Sequence, residues 1–319
     1  SKGKNSKRTG EWRMRYEKDF LHLQLQEPTV LSLGKFDGLH RGHELLMRSV
    51  FEKAQTGLKA AFFTFDIPPC QASGITQQVI TTNEEKQQLF FERGADYLME
   101  CPFTKEIMQM EAERFIKEIV TRFCVKWLVV GTDFRFGHQR RGDYHMLQDY
   151  ASVYGYQVCV VEKMQYHDRD ISSTYIREEL LKGNIGLANE LLGYPYFIQG
   201  KIVHGNQVGR TIGFPTININ PPPQKLLPPF GVYLSNILLD GKQYAGITNI
   251  GRKPTIQGDY PAAAETYIYD FSGDVYEKTA KVELLHFERP EMKFEGIAQL
   301  KQQLKKDIAY GAEYLAGQR

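Results

Sequence analysis

Gly34-Lys35-Phe36-Asp37-Gly38-Leu39-His40-Arg41-Gly42-His43 follows the apolar run Thr29-Val30-Leu31-Ser32-Leu33 and leads into Glu44-Leu45-Leu46-Met47-Arg48-Ser49-Val50-Phe51. That order predicts a strand, a glycine-rich turn and an amphipathic helix over 42–55. Gly34, Gly38 and Gly42 let the backbone approach a ligand and adopt turn conformations barred to other residues. A helix N-terminus offers N–H groups and positive partial charge, which suit phosphate. His40 and His43, three residues apart, add imidazole donors on the same helix face. The plain reading of His-x-x-His is a solvated helix face, and zinc is another. Zinc would want further ligands, and Cys70, Cys101, Cys124 and Cys159 stand singly. The glycine context favours a polyphosphate cradle, with Gly34, Phe36, Asp37 and Gly38 beside the histidines.

Outward from this turn, the first half alternates strand-like and helix-like segments. Strands are expected at 29–33, 58–65, 126–131 and 158–161, and helices at 83–91, with Asn83 as N-cap, and 111–123. Such alternation predicts a mostly parallel sheet with helices on both faces. Ligands on such sheets bind beyond the carboxyl ends of the strands, where the turns after Leu33 and Val130 both fall. After about Gly193 the texture changes to short β-rich runs near 196–198, 231–234, 244–250, 265–269 and 280–285. Pro221-Pro222-Pro223 and Pro228-Pro229 punctuate them. This predicts a closed antiparallel barrel, followed by one amphipathic helix at 294–310. Two short helices at 175–182 and 186–192 mark the boundary. The expected division is a basic leader at 1–15, an α/β domain at 16–186 and a barrel domain at 187–319.

A chain of 319 residues suits two domains, and 42% hydrophobic against 24% charged residues is enough for a core in each. A net charge of +2 gives no general case for nucleic acid. The leader holds Lys2, Lys4, Lys7, Arg8, Arg13 and Arg15, which leaves a nucleic-acid-binding tail as the minor reading of a frayed or appended arm before Met14. No window approaches the ~20 apolar residues of a membrane helix. Four scattered cysteines make no disulfide framework, so a cytoplasmic location without membrane partners is expected.

Three further segments carry chemistry. Gly131-Thr132-Asp133-Phe134-Arg135-Phe136-Gly137 leaves a strand for a polar loop. Ile171-Ser172-Ser173-Thr174-Tyr175-Ile176-Arg177 puts hydroxyls at a helix start, where they serve more often as caps than as ligands. Gly200-Lys201-Ile202-Val203-His204-Gly205-Asn206-Gln207-Val208-Gly209-Arg210-Thr211-Ile212-Gly213-Phe214-Pro215-Thr216-Ile217-Asn218 is glycine-dense without P-loop spacing. A plain barrel with glycine turns remains the alternative there.

His40-Arg41-Gly42-His43 resembles the signature of His-x-Gly-His nucleotidyltransferases, and the preceding Gly34-Lys35-Phe36-Asp37-Gly38 narrows the likeness to the bacterial bifunctional riboflavin kinase/FMN adenylyltransferases. The other segments resemble that family's further motifs in order. Pro229-x-Gly231-Val232-Tyr233, Gly246-x-x-Asn249-Ile250-Gly251 and Arg289-Pro290-x-Met292-Lys293-Phe294 continue it. The resemblance implies ATP, riboflavin and FMN as small-molecule substrates, with Mg²⁺. For adenylyl transfer it implies His40 and His43 on the ATP phosphates. Ser172, Ser173, Thr174 and Arg177 would grip the departing pyrophosphate, with Asp133 and Arg135 on the adenosine or flavin side. FMN brings a nucleophilic phosphate, largely dianionic at neutral pH, so this step needs no general base. For the kinase it implies Gly200, Lys201, Gly205, Gly209, Arg210, Gly213, Pro215 and Thr216 around ATP. Thr216 and Asn218 would meet the metal, and Glu265 would be the base for riboflavin's hydroxyl.

Four residues depart from the family pattern: Pro68 where a histidine precedes proline, Ile217 for alanine, Tyr267 for histidine and Glu277 for glycine. Pro68 bears on that loop's contact to nucleotide, whereas Ile217, Tyr267 and Glu277 are expected to touch flavin-side packing more than phosphate chemistry. The alternatives are a chain keeping one of the two activities and a flavin-sensing regulator that binds RNA through its leader. Oligomeric state and transfer of FMN between sites stay open.

Overall fold

The computed structural model describes residues 14–18, 20–66, 78–102, 104–204, 214–252, 262–273 and 275–317. The chain divides into two compact units, one comprising 1–75 and 83–165, the other 76–82 and 166–319.

The first unit runs β1 (Arg15–Glu17), β2 (Thr29–Leu33), α1 (Arg41–Ala54), β3 (Lys59–Asp66), α2 (Asn83–Glu92), β4 (Tyr97–Pro102), α3 (Lys105–Met108), α4 (Ala112–Arg122) and β5 (Val125–Gly131). It continues through β6 (Arg135–Phe136), β7 (Gly142–Asp143), α5 (Tyr144–Asp149), α6 (Ala151–Tyr154) and β8 (Gln157–Val161). Six strands form one sheet in the order β1-β4-β3-β2-β5-β8, and every neighbouring pair is parallel. All five residues of β2 are buried, as a strand covered on both faces requires. Phe62 and Phe63 point to opposite faces: Phe62 meets Phe51 of α1 and Phe90 of α2, and Phe63 meets Phe115 of α4. Helices therefore cover both faces. From β2 the chain winds outward through β3 and β4, then returns to β5 on the other side of β2. The reversal lies between β2 and β5.

The division falls within β9 (Gln165–Tyr166), and the second unit continues with β10 (Arg169–Asp170), α7 (Ser173–Lys182) and α8 (Ile185–Leu192). Six strands, β11 (Phe197–Val203), β12 (Thr216–Ile219), β13 (Gly231–Leu239), β14 (Lys242–Gly251), β15 (Ala263–Ile268) and β16 (Thr279–Pro290), close a barrel in the order β11-β12-β15-β14-β13-β16. Each neighbouring pair in it is antiparallel. Side chains alternate across each strand. Ser235, Thr248 and Thr266 form a buried hydroxyl relay, with Ser235 Oγ donating to Thr248 Oγ1 at 2.7 Å and 2.9 Å from there to Thr266. The opposite face carries Val232, Leu234 and Ile247, covered by Ile308 and Tyr314 of the terminal helix α9 (Ile297–Gly317).

Several expectations change. Asn83 is the first residue of α2 rather than its cap, and its amide donates to Asp66 Oδ1 at 2.9 Å. Strands β1, β4 and β12 add to those expected from the sequence pattern. Arg15, the end of the expected leader, opens β1; residues 1–13 lie outside the described set. The terminal helix starts later and runs longer than 294–310, over Ile297–Gly317. No described helix is long and apolar enough to cross a membrane.

Candidate active sites

In the first unit, the reversal of strand order puts the ends of β2 and β5 side by side, with Ser32 registered against Val129. Such a switch point opens a crevice beyond the strand ends. The turn after β2 is held to β3 by Gly34 N donating to Phe63 O at 3.1 Å and Thr64 Oγ1 to Lys35 O at 2.9 Å. Phe36 (φ 49) and Leu39 (φ 38) take left-handed conformations beside Gly38 (φ 83), and both are fully buried. Left-handed non-glycine residues cost about 1–3 kcal/mol each. Here burial of the two side chains offsets that cost and fixes the turn.

His40 is the N-cap of α1, its carbonyl accepting from His43 N at 2.7 Å, while its side chain caps nothing. The helix therefore opens with N–H groups that its own cap leaves for a ligand. The rings of His40 and His43 stack at 3.8 Å, and both Nδ1 atoms are buried without a hydrogen-bond partner. Burial lowers His40 to about 4 against the opposing pull of Asp133. His43 falls well below its ordinary value through burial and then through His40. Both imidazoles are therefore neutral at pH 7. Two neutral, stacked, unsatisfied rings at a helix N-terminus are suited to gain from an arriving anion.

Asp133, just past β5, is 67% exposed and pairs with Lys163 at 3.2 Å. Arg135 is occupied by the β6–β7 ribbon, donating to Phe134 O at 3.0 Å with Asp143 at 4.0 Å. His40, His43, Asp133 and Arg135 thus all belong to the first unit. Ser172, Ser173, Thr174 and Arg177 belong to the second. Ser172 is the N-cap of α7, its Oγ accepting from Tyr175 N at 3.2 Å, so the capping reading of that hydroxyl holds.

In the barrel, Thr216 Oγ1 donates to Glu265 Oε1 at 2.7 Å. Register puts Asn218 across from Glu265 on one side and Asn249 on the other. A cavity of about 170 Å³ lies between this face and α9, lined by Thr216, Asn249, Glu265, Tyr267, Arg289 and Asp307 among others. Arg289 Nε donates to the fully buried Asp307 at 3.0 Å, which joins β16 to α9 at the cavity wall.

Of the departing residues, Tyr267 lines this cavity. Ile217 is buried on the other face of β12 from Thr216 and Asn218, in the barrel core. Glu277 sits at φ 64, a conformation that favours glycine, with Lys201 at 3.7 Å. A side chain at Gly200 would meet Ile219 at 2.9 Å, so that glycine serves close strand packing. Pro215 is exposed just before β12. Gly205, Gly209, Arg210, Gly213 and Pro68 lie outside the described residues. Asn249 and Arg289, which stand in two of the family-like motifs without an expected role, and Asp307, which stands in none, all line the cavity. Their place at the cavity follows from strand register and helix docking, which no local pattern encodes.

The model of the FAD synthetase family matches residues 22–175, and that of the riboflavin kinase family matches residues 192–315. The bifunctional riboflavin kinase/FMN adenylyltransferase of Listeria monocytogenes is 36% identical over 87% of this chain and 90% of its own length. That of Bacillus subtilis is 35% identical over 92% and 95%. A crystal structure described as a macrolide-efflux protein from Streptococcus pneumoniae superposes with a TM-score of 0.82. It shares 29% identity and covers 94% of this chain and 98% of that one.

Proposed function

Because this chain belongs to the bifunctional riboflavin kinase/FMN adenylyltransferase family, we propose how its residues divide the two reactions. The chain phosphorylates riboflavin to FMN with ATP and transfers an adenylyl group from a second ATP to FMN, giving FAD and pyrophosphate. Residues 187–319 carry the first reaction and residues 16–186 the second.

Glu265 accepts the proton of riboflavin's primary hydroxyl as that oxygen attacks the γ-phosphorus of ATP, and ADP leaves with the electron pair of the broken bond to the β,γ-bridging oxygen. The hydroxyl is a poor nucleophile, so a positioned carboxylate lowers the barrier. The hydrogen bond from Thr216 aims the carboxylate. Gly200, Lys201, Pro215 and Thr216, with Gly205, Gly209, Arg210 and Gly213, surround the nucleotide. Among the described residues there is no cluster of three His, Cys, Asp or Glu that would hold a metal alone. The Thr216 hydroxyl and Asn218 carbonyl are hard oxygen donors that fit Mg²⁺ arriving with the triphosphate. Mg²⁺ would neutralise charge developing on the transferred phosphoryl group.

In the second reaction an FMN phosphate oxygen attacks the α-phosphorus of ATP, and pyrophosphate leaves with the bonding electron pair. His40 and His43 donate to the phosphates, the turn from Gly34 through Phe36, Asp37 and Gly38 presents backbone to them, and Ser172, Ser173, Thr174 and Arg177 hold the leaving group. Asp133 and Arg135 meet the adenosine or flavin side. The catalyst's work is alignment and charge neutralisation.

The observation that carries this reading is the stacked histidine pair at the strand switch point, buried with both Nδ1 atoms unsatisfied. Incubation with riboflavin, ATP and Mg²⁺, followed by chromatography, should show FMN rising and then falling as FAD accumulates. A chain that makes FMN and no FAD, even from supplied FMN, would refute the role given to the histidine turn.

A further inference from the structure

We propose that Lys86 is a positioning residue for adenylyl transfer. Its buried ammonium balances Asp37 in the glycine turn and Asp66 at the end of β3, and so holds the turn that carries His40 and His43. The inference rests on assigning FAD formation to that turn.

Helix α2 turns Glu85, Lys86, Leu89 and Phe90 inward, an inner face that is half charged. The Lys86 side chain is 4% exposed, with Nζ 4.0 Å from Oε2 of Glu100 in the middle of β4. Glu100 is fully buried. Its Oε1 accepts from Tyr16 OH of β1 at 3.1 Å, and its Oε2 has no hydrogen-bond partner. A buried ion pair gives little net stability over an apolar pair of equal volume. Stability alone is therefore a weak reason to keep Lys86 here.

Two more carboxylates act on the same ammonium. Asp37 and Asp66 both favour its charged form, against the burial that lowers its pKa. Asp37 is 5% exposed within the turn. Asn83, Lys86 and Phe90 share one stripe of α2, spaced three and four residues apart. Asn83 donates to Asp66, Lys86 approaches Glu100, and Phe90 meets the ring of Phe36 at 5.3 Å, edge on. Phe36 in turn lies 5.1 Å from the ring of His43. One face of α2 thus grips the strained turn through its polar and its apolar side chains. Strain of this kind persists only when the surroundings over-determine it. Without Lys86, Asp37 and Asp66 would lose a compensating charge and Glu100 would keep Lys18, 3.9 Å from its Oε1, beneath a site that must accept a polyanionic nucleotide.

The test measures FAD formation from FMN and ATP, FMN formation from riboflavin and ATP, and melting temperature, on the full chain carrying Lys86→Met or Lys86→Arg. Lys86→Met is expected to lose on the order of 10- to 100-fold in kcat for FAD formation. The KM for ATP should move less than about threefold, riboflavin phosphorylation should stay within about twofold of the parent, and Lys86→Arg should recover most of the loss. FAD formation within about threefold of the parent in Lys86→Met overturns the proposal. If Lys86→Met lowers both activities and the melting temperature together, Lys86→Met combined with Glu100→Gln decides, because it removes the buried charges as a pair. Kinase activity restored while FAD formation stays low supports the proposal; restoration of both overturns it. A parent chain that makes no FAD, or a His43→Ala variant that makes it normally, would instead refute the assignment of the turn.

Discussion

The Nδ1 atom of His43 is buried without a partner and the ring is held neutral, so in the resting protein it gains little from that atom. Its value must come when an anion arrives. His43→Ala is expected to lower FAD formation by on the order of 10²-fold, as loss of one preorganised donor does elsewhere, while FMN formation continues. The same burial sets a pH dependence of stability. An unfolded chain takes up a proton on His40 as pH falls through 6.5, whereas the folded chain resists until about 4. Stability is therefore complete above 6.5 and declines as pH falls from 6.5 to 4, by on the order of 3 kcal/mol from His40 alone. His43 adds to the same trend. Thermal unfolding between pH 7.5 and 5 should show the decline, and a His40→Asn variant should show a shallower one. In the barrel, Glu265→Gln keeps the shape and the hydrogen bond from Thr216 while removing the proton acceptor. FMN formation should become undetectable; phosphorylation of riboflavin at the parent rate would refute the base.

At the scale of elements, α9 packs over the barrel cavity and is fastened by polar contacts as well as apolar ones. Asp307 accepts from Arg289 of β16, while the Gln303 amide holds Asp307 from within α9, and Ile308 O accepts from Tyr269 OH at 2.6 Å. Glu288, next to Arg289 in β16, is pushed up to about 7 by burial and by Asp307. Asp307→Asn would leave Arg289 beside a neutral partner in a largely buried position, which costs about 3 kcal/mol. The expected result is a lower melting temperature and a raised KM for riboflavin, with the KM for FMN in adenylyl transfer unchanged. Steady-state kinetics on both substrates checks this. Elements of this kind differ in how far the sequence declares them. The turn from Gly34 to His43 is readable because its chemistry is local: glycines, a preceding apolar strand and a helix start lie in one stretch. Strand β4, Tyr97-Leu98-Met99-Glu100-Cys101-Pro102, is not, because the buried Glu100 interrupts the apolar run that marks an interior strand. Helix α2 shows itself by its cap-like start, yet its inward-facing Lys86 reads as a solvated charge until Glu100 is seen opposite.

At the scale of the whole molecule, the change from strand–helix alternation to short glycine- and proline-bounded strands near 193 announces two architectures, and the two kinds of sheet follow from it. What the order of residues leaves open is which strand borders which. Asn249 stands beside Glu265 because β14 and β15 pair in one register, and a shift by one residue would turn its side chain into the barrel. Likewise Ile217, between Thr216 of the cavity and Asn218, belongs to the core by alternation alone. Two such self-contained cores imply that each reaction can be lost without the other. A chain with His43→Ala should accumulate FMN from riboflavin and stop there, and a chain with Glu265→Gln should convert supplied FMN to FAD but leave riboflavin untouched. Mixed in equal amounts, the two variants should again make FAD from riboflavin, after a lag in which FMN builds up in solution. Chromatography of the mixture over time tests this. Failure of the mixture, with each variant retaining its own remaining activity, would mean that FMN must be handed over within one chain or one assembly and does not equilibrate with solvent.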